Sequence, residues 1–165
     1  MSSPNKPNSQ GRLPVIVIGG NGVTGRMVRR ILKRYGIESH YTSRKGGPEA
    51  EHHVLELNDS DSDFSEAVRL LSGFTWAVIC VGPFEAVEDT FHQVCLSAGT
   101  NIVDVNDYRE LAIQLRQEQS QAEDREVRVL TGWGLSPGMS TAVVLRLAKQ
   151  WPVSIADTDV TTELS

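Results

Sequence analysis

The sequence predicts an α/β fold, a doubly wound and mostly parallel six-stranded sheet with helices on both faces. Two observations predict this class. Short β-branched segments alternate with segments of helical period, the pattern of βαβ units joined by right-handed crossovers. The first strand candidate is a continuous apolar run, as expected when both faces of a sheet are covered. The length of 165 residues suits one domain with its own core.

Each element is identified by its apolar pattern. The strand candidates are short apolar runs: Leu13–Ile18, Ile37–Thr42, Val54–Leu57, Thr75–Val81, Asn101–Val105 and Val127–Thr131. The helix candidates carry apolar residues at helical spacing: Val23–Tyr35, Ser62–Leu71, Phe84–Ala98, Tyr108–Glu123 and Met139–Lys149. In the first helix, Met27, Ile31, Leu32 and Tyr35 share one face. The third helix stops at Gly99, a natural left-handed cap.

The composition excludes several classes of protein. Sixteen Lys and Arg against twenty-one Asp and Glu give a net charge of −5, which argues against a general nucleic-acid-binding protein. The longest apolar runs, Val15–Ile18 and Trp76–Val81, are too short to span a bilayer. The N-terminal residues lack the apolar segment of a signal peptide. We therefore expect a cytoplasmic protein that binds neither nucleic acid nor membrane.

A glycine-rich turn separates the first strand from the first helix. Gly20, Gly22 and Gly25 match G-x-G-x-x-G in the strand–turn–helix context that dinucleotide sites require. One glycine allows the tight turn, the next lets the backbone approach a pyrophosphate, and the third lets helix and sheet pack closely. The helix N-terminus offers free N–H groups to phosphates. The turn predicts a Rossmann-like dinucleotide-binding domain over residues 13–150, with binding residues Gly20, Asn21, Gly22, Val23, Thr24 and Gly25.

The end of the second strand predicts the choice of cofactor. An acidic residue here would bind the ribose 2′-hydroxyl of NAD(H), but the sequence has Ser43, Arg44 and Lys45 instead. A hydroxyl, a guanidinium and an ammonium suit a 2′-phosphate, which Arg can bind bidentately. We therefore expect NADP(H) in preference to NAD(H). A solvated basic loop is the alternative.

Two further strand ends belong to the predicted site. Leu57 closes the third strand, where such sheets often meet the adenine, and Val81, Gly82 and Pro83 follow the fourth. Ligands of open α/β sheets bind beyond the carboxyl ends of the strands at the switch point. Gly82 is equally compatible with a turn before a helix that begins at a proline. Asp104 and Asn106 lie at the end of the fifth strand, near the expected nicotinamide end, and fit cap and turn positions equally well.

Other patterns suggest different chemistry and are disfavoured. A P-loop would need Lys and Ser or Thr where Arg26 and Met27 stand. The segment Gly134–Gly138 matches G-x-S-x-G, but Pro137 has no N–H for an oxyanion hole and every histidine lies upstream. A glycine turn that binds no ligand remains an alternative.

Histidine, cysteine and tyrosine patterns are also weak. His52 and His53 should point to opposite faces of a strand, so we expect a surface pair and no metal site. Cys95 falls on the apolar stripe of its helix and Cys80 in a buried strand, so both are expected to be inert core thiols. The Tyr-x-x-x-Lys pair of short-chain reductases is matched only by Tyr41 and Lys45, far too early in the chain.

Five segments together resemble a known family. They are Val15–Arg26, Ile79–Phe84, Val94–Gly99, Ile102–Val105 and Gly134–Ser140. Over residues 13–150 the chain resembles the NADP-binding domain of the saccharopine dehydrogenase (saccharopine reductase-like) family. The resemblance implies an oxidoreductase of amino-acid or related metabolism that uses a nicotinamide cofactor.

The resemblance also sets the expected domain organisation. Family members continue into a second α/β domain that shapes the substrate pocket and often dimerises. We interpret residues 1–12 as a flexible lead-in and residues 151–165 as a tail or the start of that missing domain, through which a small-molecule substrate would bind. A homodimer is one assembly that the resemblance suggests. No catalytic residue is carried over. The alternative is a non-catalytic module that senses NADP(H) or serves as an interaction surface.

Overall fold

A six-stranded parallel sheet forms the centre of the protein. The computed structural model describes residues 11–57, 61–83, 89–134 and 138–150. The strands are β1 (Leu13–Ile18), β2 (Ser39–Ser43), β3 (His52–Val54), β4 (Phe74–Ile79), β5 (Asn101–Asp104) and β6 (Val129–Leu130). They lie in the order β3-β2-β1-β4-β5-β6, and every neighbouring pair is parallel. The predicted doubly wound fold is confirmed, and its switch point lies between β1 and β4.

The helices follow the predicted segments with one difference among the described residues. They are α1 (Val23–Arg34), α2 (Asp61–Leu71), α3 (Thr90–Ala98), α4 (Arg109–Gln117), α5 (Gln119–Asp124) and α6 (Ser140–Gln150). The predicted single helix Tyr108–Glu123 is two helices that meet at Glu118. The predicted start of the third helix, Phe84, lies outside the described residues. Its predicted end is confirmed, since Gly99 is a left-handed cap with φ +65°.

The two faces of the sheet bury different residues. Ile16 and Ile18 of β1 join Ala77 and Ile79 of β4 in a core that α2 and α3 cover. Because successive strand residues alternate between faces, Val17 points to the other side, where α1 packs on β1 and β2. Among the described residues, no helix is both long and apolar enough to cross a membrane.

The bounds of β3 differ from the prediction. Val54–Leu57 is predicted, whereas the strand spans His52–Val54 and pairs Tyr41 with His52 and Ser43 with Val54. The apolar pattern misleads here because Leu55 and Leu57 contact the core from the segment after the strand. The burial of a side chain thus does not show that its backbone belongs to the sheet.

The apolar side chains of α1 are also placed differently from the prediction. Met27, Ile31 and Tyr35 are 58%, 48% and 74% exposed, whereas Gly25 is buried and Leu32 half-buried. The helix therefore approaches the sheet through its Gly25 side. The absence of a side chain on Gly25 permits a closer approach than the apolar stripe would allow, so the stripe is left at the surface.

A buried carboxylate ties β5 to two other segments. Asp104 has no solvent exposure, and its Oδ2 lies 2.8 Å from Nε2 of the buried His92 in α3. Its Oδ1 accepts hydrogen bonds from the Thr131 hydroxyl at 3.0 Å and from the backbone N–H groups of Asn106 and Gly132, both at 2.9 Å. One side chain thus connects β5 to α3 and to the segment that follows β6.

These contacts set the protonation of the carboxyl. Burial alone raises the pKa of Asp104, but hydrogen bonds from His92, Gly132 and Asn106 outweigh burial and hold the pKa below its usual value. The folded protein therefore binds this proton more weakly than the unfolded chain does. The resulting stability is present above the usual pKa of an aspartate and is lost as pH falls through the lower pKa of the folded protein.

We expect Asp104→Asn to lower the free energy of unfolding by about 3 kcal/mol at pH 7, because it breaks a buried hydrogen-bonded pair. The difference from wild type should shrink as pH falls below about 4, where the unfolded chain takes up this proton, and should be smallest below the lower pKa of the folded protein. Urea unfolding of both proteins across this pH range measures the difference. The exposed Asp107→Asn serves as the control. A difference that stays constant with pH would contradict the assignment.

Candidate functional site

The segments that follow the strands meet at one edge of the sheet, because all the strands are parallel. The glycine turn follows β1 at the centre, flanked by the ends of β2 and β4. Ser43–Lys45 and Val81–Pro83 therefore lie on either side of the turn. The structure thus brings together three of the segments that the sequence assigns to a cofactor site.

The first two glycines of the turn fit between the ends of β2 and β4. Gly19 has φ +78°, and a Cβ there would lie 2.8 Å from Val81 Cγ1. Gly20 donates its N–H to the carbonyl of Thr42 at 2.9 Å, and its Cβ would lie 2.5 Å from Tyr41 Cβ. The left-handed residue of the turn is therefore Gly19, which lies just outside the G-x-G-x-x-G pattern.

Gly22 and Gly25 lack side chains for different reasons. A Cβ on Gly25 would collide with the Gly19 carbonyl oxygen and with Gly20 Cα, so Gly25 allows the helix to rest on the turn. Gly22 has an ordinary φ of −68°, and its Cβ would meet only the Gly19 oxygen, at 3.2 Å. Gly25 is required by packing, whereas the space beside Gly22 is open to a ligand.

The N-terminus of α1 offers unpaired hydrogen-bond donors. The first helical bond runs from Arg26 N to the Gly22 carbonyl at 3.0 Å, which leaves the N–H groups of Val23, Thr24 and Gly25 ahead of it. Gly22 provides no side-chain cap, and the first turn has no acidic residue. Val23 and Thr24 are exposed. This end of the helix therefore presents N–H donors and a partial positive charge to an anion.

A polar cluster joins the turn to the end of β2. Asn21 Nδ2 donates to Ser43 Oγ at 3.1 Å, and Ser43 Oγ donates to the carbonyl of Lys45 at 2.7 Å. Nε2 of His52 lies 2.8 Å from the same hydroxyl. Arg44 and Lys45 are exposed, and no ion pair among the described residues involves them. The two predicted binding segments are thus in direct contact, with two basic side chains free beside them.

Sequence reasoning missed His52 as a member of this cluster. The adjacent pair His52 and His53 indicates a surface pair on a strand, because opposite orientations disfavour a shared metal ion. The same alternation predicts that His52 shares a face with Val54, and the observed pairing with Tyr41 brings it to the face of Ser43. The alternation along β3 thus indicates which face His52 occupies, but its place beside Ser43 follows only from the register of a short edge strand.

Tyr41 lies beneath α1 and is 2% exposed. The guanidinium of Arg29 lies 3.4 Å above the centre of its ring, and Arg29 also pairs with Glu49 at 3.8 Å. A cation over an aromatic face is an attractive arrangement. Because the ring is covered, Tyr41 is not placed to exchange a proton with a substrate, which agrees with the rejection of a Tyr41/Lys45 catalytic pair.

The remaining predicted site residues surround this centre less closely. Leu57 and Val81 are half-buried and pack against the hydrophobic core. Gly82 and Pro83 are exposed after β4, while Phe84 lies outside the described residues. Asp104 and Asn106 are buried and held in structural hydrogen bonds. The end of β5 thus contributes to stability and offers no free group to the edge.

The two cysteines are not ionised at neutral pH. Burial raises the pKa of Cys95 to about 12 and that of the half-buried Cys80 to about 11, so both remain thiols at neutral pH.

His53 stacks on His40, with Nε2 of His53 2.9 Å from Nδ1 of His40. Burial, followed by His40 and His52, lowers the pKa of His53. No group of three or more metal-ligating side chains is found in the described parts of the chain. Ser136 and Pro137 lie outside them.

A comparison with protein-family models gives no match, and neither does a comparison with curated protein sequences. The fold is similar to that of several solved structures. Apo saccharopine dehydrogenase (L-Glu forming) from Saccharomyces cerevisiae superposes with a TM-score of 0.65 at 14% identity over 83% of this chain. The WlbA dehydrogenase from Thermus thermophilus, solved with NAD and UDP-GlcNAcA, gives 0.54 at 15% identity over 84%. UDP-N-acetylglucosamine 4-epimerase from Bacillus cereus gives 0.54 at 15% identity over 72%.

The matched parts differ in their share of those proteins. The chain spans 31% of the saccharopine dehydrogenase, 47% of the WlbA dehydrogenase and 58% of the epimerase. At these identities the likeness concerns the fold. The chain therefore has a Rossmann fold, with its glycine turn at the edge where such folds bind their ligands.

Proposed function

We propose that this chain is the NADP(H)-binding domain of an oxidoreductase of the saccharopine dehydrogenase type, acting in amino-acid or related metabolism. One observation carries the proposal. The uncapped N-terminus of α1 and the open space beside Gly22 lie next to a cluster that ends in two free basic side chains. This arrangement suits a ligand with a pyrophosphate and a second, separate phosphate.

The residues present fit the pyrophosphate of a dinucleotide. The N–H groups of Val23, Thr24 and Gly25 precede the first helical bond, and no acidic side chain opposes an anion there. Gly22 leaves room for the ligand to approach the backbone. When bound, the nicotinamide would supply hydride transfer, and the role of this chain would be to hold and orient the dinucleotide.

The segment after β2 fits a 2′-phosphate better than a 2′-hydroxyl. Ser43 stands at the end of the strand, where an NAD-selective site would carry an acidic residue. Arg44 can donate two parallel charge-assisted hydrogen bonds, and Lys45 adds a second positive charge. Both are exposed and available. NADP(H) in preference to NAD(H) is therefore part of the proposal.

In the proposed function, the groups that bind the substrate do not belong to this domain. Asp104 and Asn106, the polar groups at the nicotinamide end, are buried and fully engaged. We propose that a second domain supplies the substrate contacts and the proton-transfer groups. The same observation favours the second candidate, a non-catalytic module that senses NADP(H). Turnover of an amino-acid substrate by the whole protein distinguishes the two.

The first test of the proposal is the turn itself. We expect Gly22→Val to weaken NADPH binding roughly a hundredfold or more, because the side chain would fill the approach to several N–H donors. Stability should change little, since Gly22 has an ordinary φ and one neighbouring backbone atom. Fluorescence titration and thermal unfolding measure the two effects.

Gly73→Val is the matched control for this variant. A Cβ on Gly73 would lie 3.3 Å from the Leu70 carbonyl oxygen, a similar crowding, but Gly73 precedes β4 at the opposite edge of the sheet. It should leave NADPH binding unchanged. Unaltered NADPH affinity in Gly22→Val would place the ligand elsewhere.

The second test concerns cofactor preference. We expect wild-type protein to bind NADPH about ten- to a hundredfold more tightly than NADH, because a hydrogen bond to a charged group contributes about 1.5–3 kcal/mol. Arg44→Ala should reduce NADPH affinity and leave NADH affinity unchanged. The exposed Arg128→Ala, before β6 at the other edge, changes the net charge equally and should have no effect. Equal binding of NADH and NADPH by wild type would refute the assignment.

A further inference from the structure

We propose that His52 is an additional ligand of the 2′-phosphate and makes the preference for NADP(H) stronger at mildly acidic pH. The inference rests on the proposed function and concerns the same site. It adds a residue that lies outside both the glycine motif and the basic segment that follows β2. Its basis is the geometry around the Ser43 hydroxyl.

The hydrogen bonds of Ser43 indicate which way the imidazole donates. The hydroxyl has one proton, and it lies 2.7 Å from the Lys45 carbonyl, which can only accept. When that proton is given to Lys45, the contact with Nε2 of His52 at 2.8 Å requires the imidazole to be the donor. His52 therefore directs an N–H toward the place where β2 ends. Ser43 accepts this N–H in the protein without ligand, and a phosphate bound beside Ser43 would compete with the hydroxyl for it as the stronger, charged acceptor.

The imidazole of His52 is held on both sides. Its ring packs against Tyr41, with 4.9 Å between the ring centroids, and Tyr41 is fixed beneath Arg29. On the other side, a Cβ on Gly47 would lie 3.1 Å from His52 Nδ1, so the loop between β2 and β3 closes against the ring. A donor held in this way loses little conformational freedom when a ligand binds.

The acidic side chains near His52 are directed to other partners or to solvent. The side toward β2 carries the free cations Arg44 and Lys45, and among the described residues no carboxylate is hydrogen-bonded to His52. In the loop before β3, Glu49 is paired with Arg29 and Glu51 is exposed. His53 is the next residue along the strand. Across the groove at the sheet edge, Glu66 of α2 is paired with Arg69. The positive charges at the end of β2 are thus left for a ligand to neutralise.

The chemistry of imidazole gives the pH dependence. Neutral histidine contributes one N–H donor, whereas the imidazolium formed in mildly acidic solution adds a positive charge beside the phosphate. The phosphate itself also takes up a proton near pH 6. Protonation of the ligand weakens binding, so the pH dependence of wild-type protein alone mixes two opposing effects. A comparison with a variant that lacks the imidazole separates them.

The experiment measures the dissociation constants of NADPH and NADH for wild type, His52→Gln and His53→Gln at pH 6 and pH 8. Glutamine keeps an N–H donor but cannot become charged. His53 is the matched control, because it faces the other side of β3 and contacts His40. We expect His52→Gln to weaken NADPH binding about tenfold at pH 6 and threefold or less at pH 8. NADH binding should not change, and His53→Gln should match wild type.

A second measurement uses wild-type protein and therefore does not depend on the folding of a variant. The ring signals of His52 in a nuclear magnetic resonance spectrum should shift with 2′,5′-ADP and remain unchanged with 5′-AMP. If NADPH binds but His52→Gln matches wild type at both pH values, or the ring signals ignore 2′,5′-ADP, the role of His52 is overturned and the proposed function stands. If wild type binds neither dinucleotide, the proposed function itself fails.

Discussion

The contact between Gly25 and the glycine turn is the constraint on which the rest of the site depends. Any side chain on Gly25 would collide with the backbone of Gly19 and Gly20, so α1 can rest on the turn only because that side chain is absent. The contact brings the first turn of the helix over the end of β1. Its free N–H groups then face the edge of the sheet, and the apolar stripe of Met27 and Ile31 is turned to the surface. The exposure of these N–H donors and the orientation of the helix thus have one cause.

The same turn also fixes the end of β2. Gly20 lies against Tyr41 and donates to Thr42, while Asn21 reaches Ser43. These contacts fix the glycine turn relative to the end of β2, and with it the distance between the proposed pyrophosphate and 2′-phosphate sites. The chain between β2 and β3, residues 44–51, forms no helix, and it folds back so that Gly47 meets the ring of His52. A helix here would cover this face, whereas the loop leaves Arg44 and Lys45 accessible.

The sequence predicts this region well where the signals are local. The strand, the glycine turn and the helix occupy consecutive residues, so their order and contacts follow from spacing and backbone geometry. The prediction is wrong where distant residues decide the outcome. The register of β3 depends on pairing with β2, and an edge strand of three residues has too few side chains to specify it. His92 and Asp104 belong to different elements, and neither residue alone indicates that the other is its hydrogen-bond partner. The left-handed conformation of Gly19 is not predicted, because the glycine motif specifies residue types and not backbone angles.

The ends of β1 and β2 differ from the end of β5 in whether their polar groups are already paired within the protein. Around β1 and β2, donors are left without protein acceptors and the basic side chains are exposed, which costs little in water and makes the region ready to bind an anion. Around β5, every hydrogen bond of the Asp104 carboxylate is made within the protein, and the group is closed to solvent. Opening that network to serve a substrate would leave a buried charge unpaired, a cost of several kcal/mol. In the proposed function, the region around β1 and β2 therefore holds the dinucleotide, and the chemistry at the nicotinamide end is assigned to groups outside the described residues.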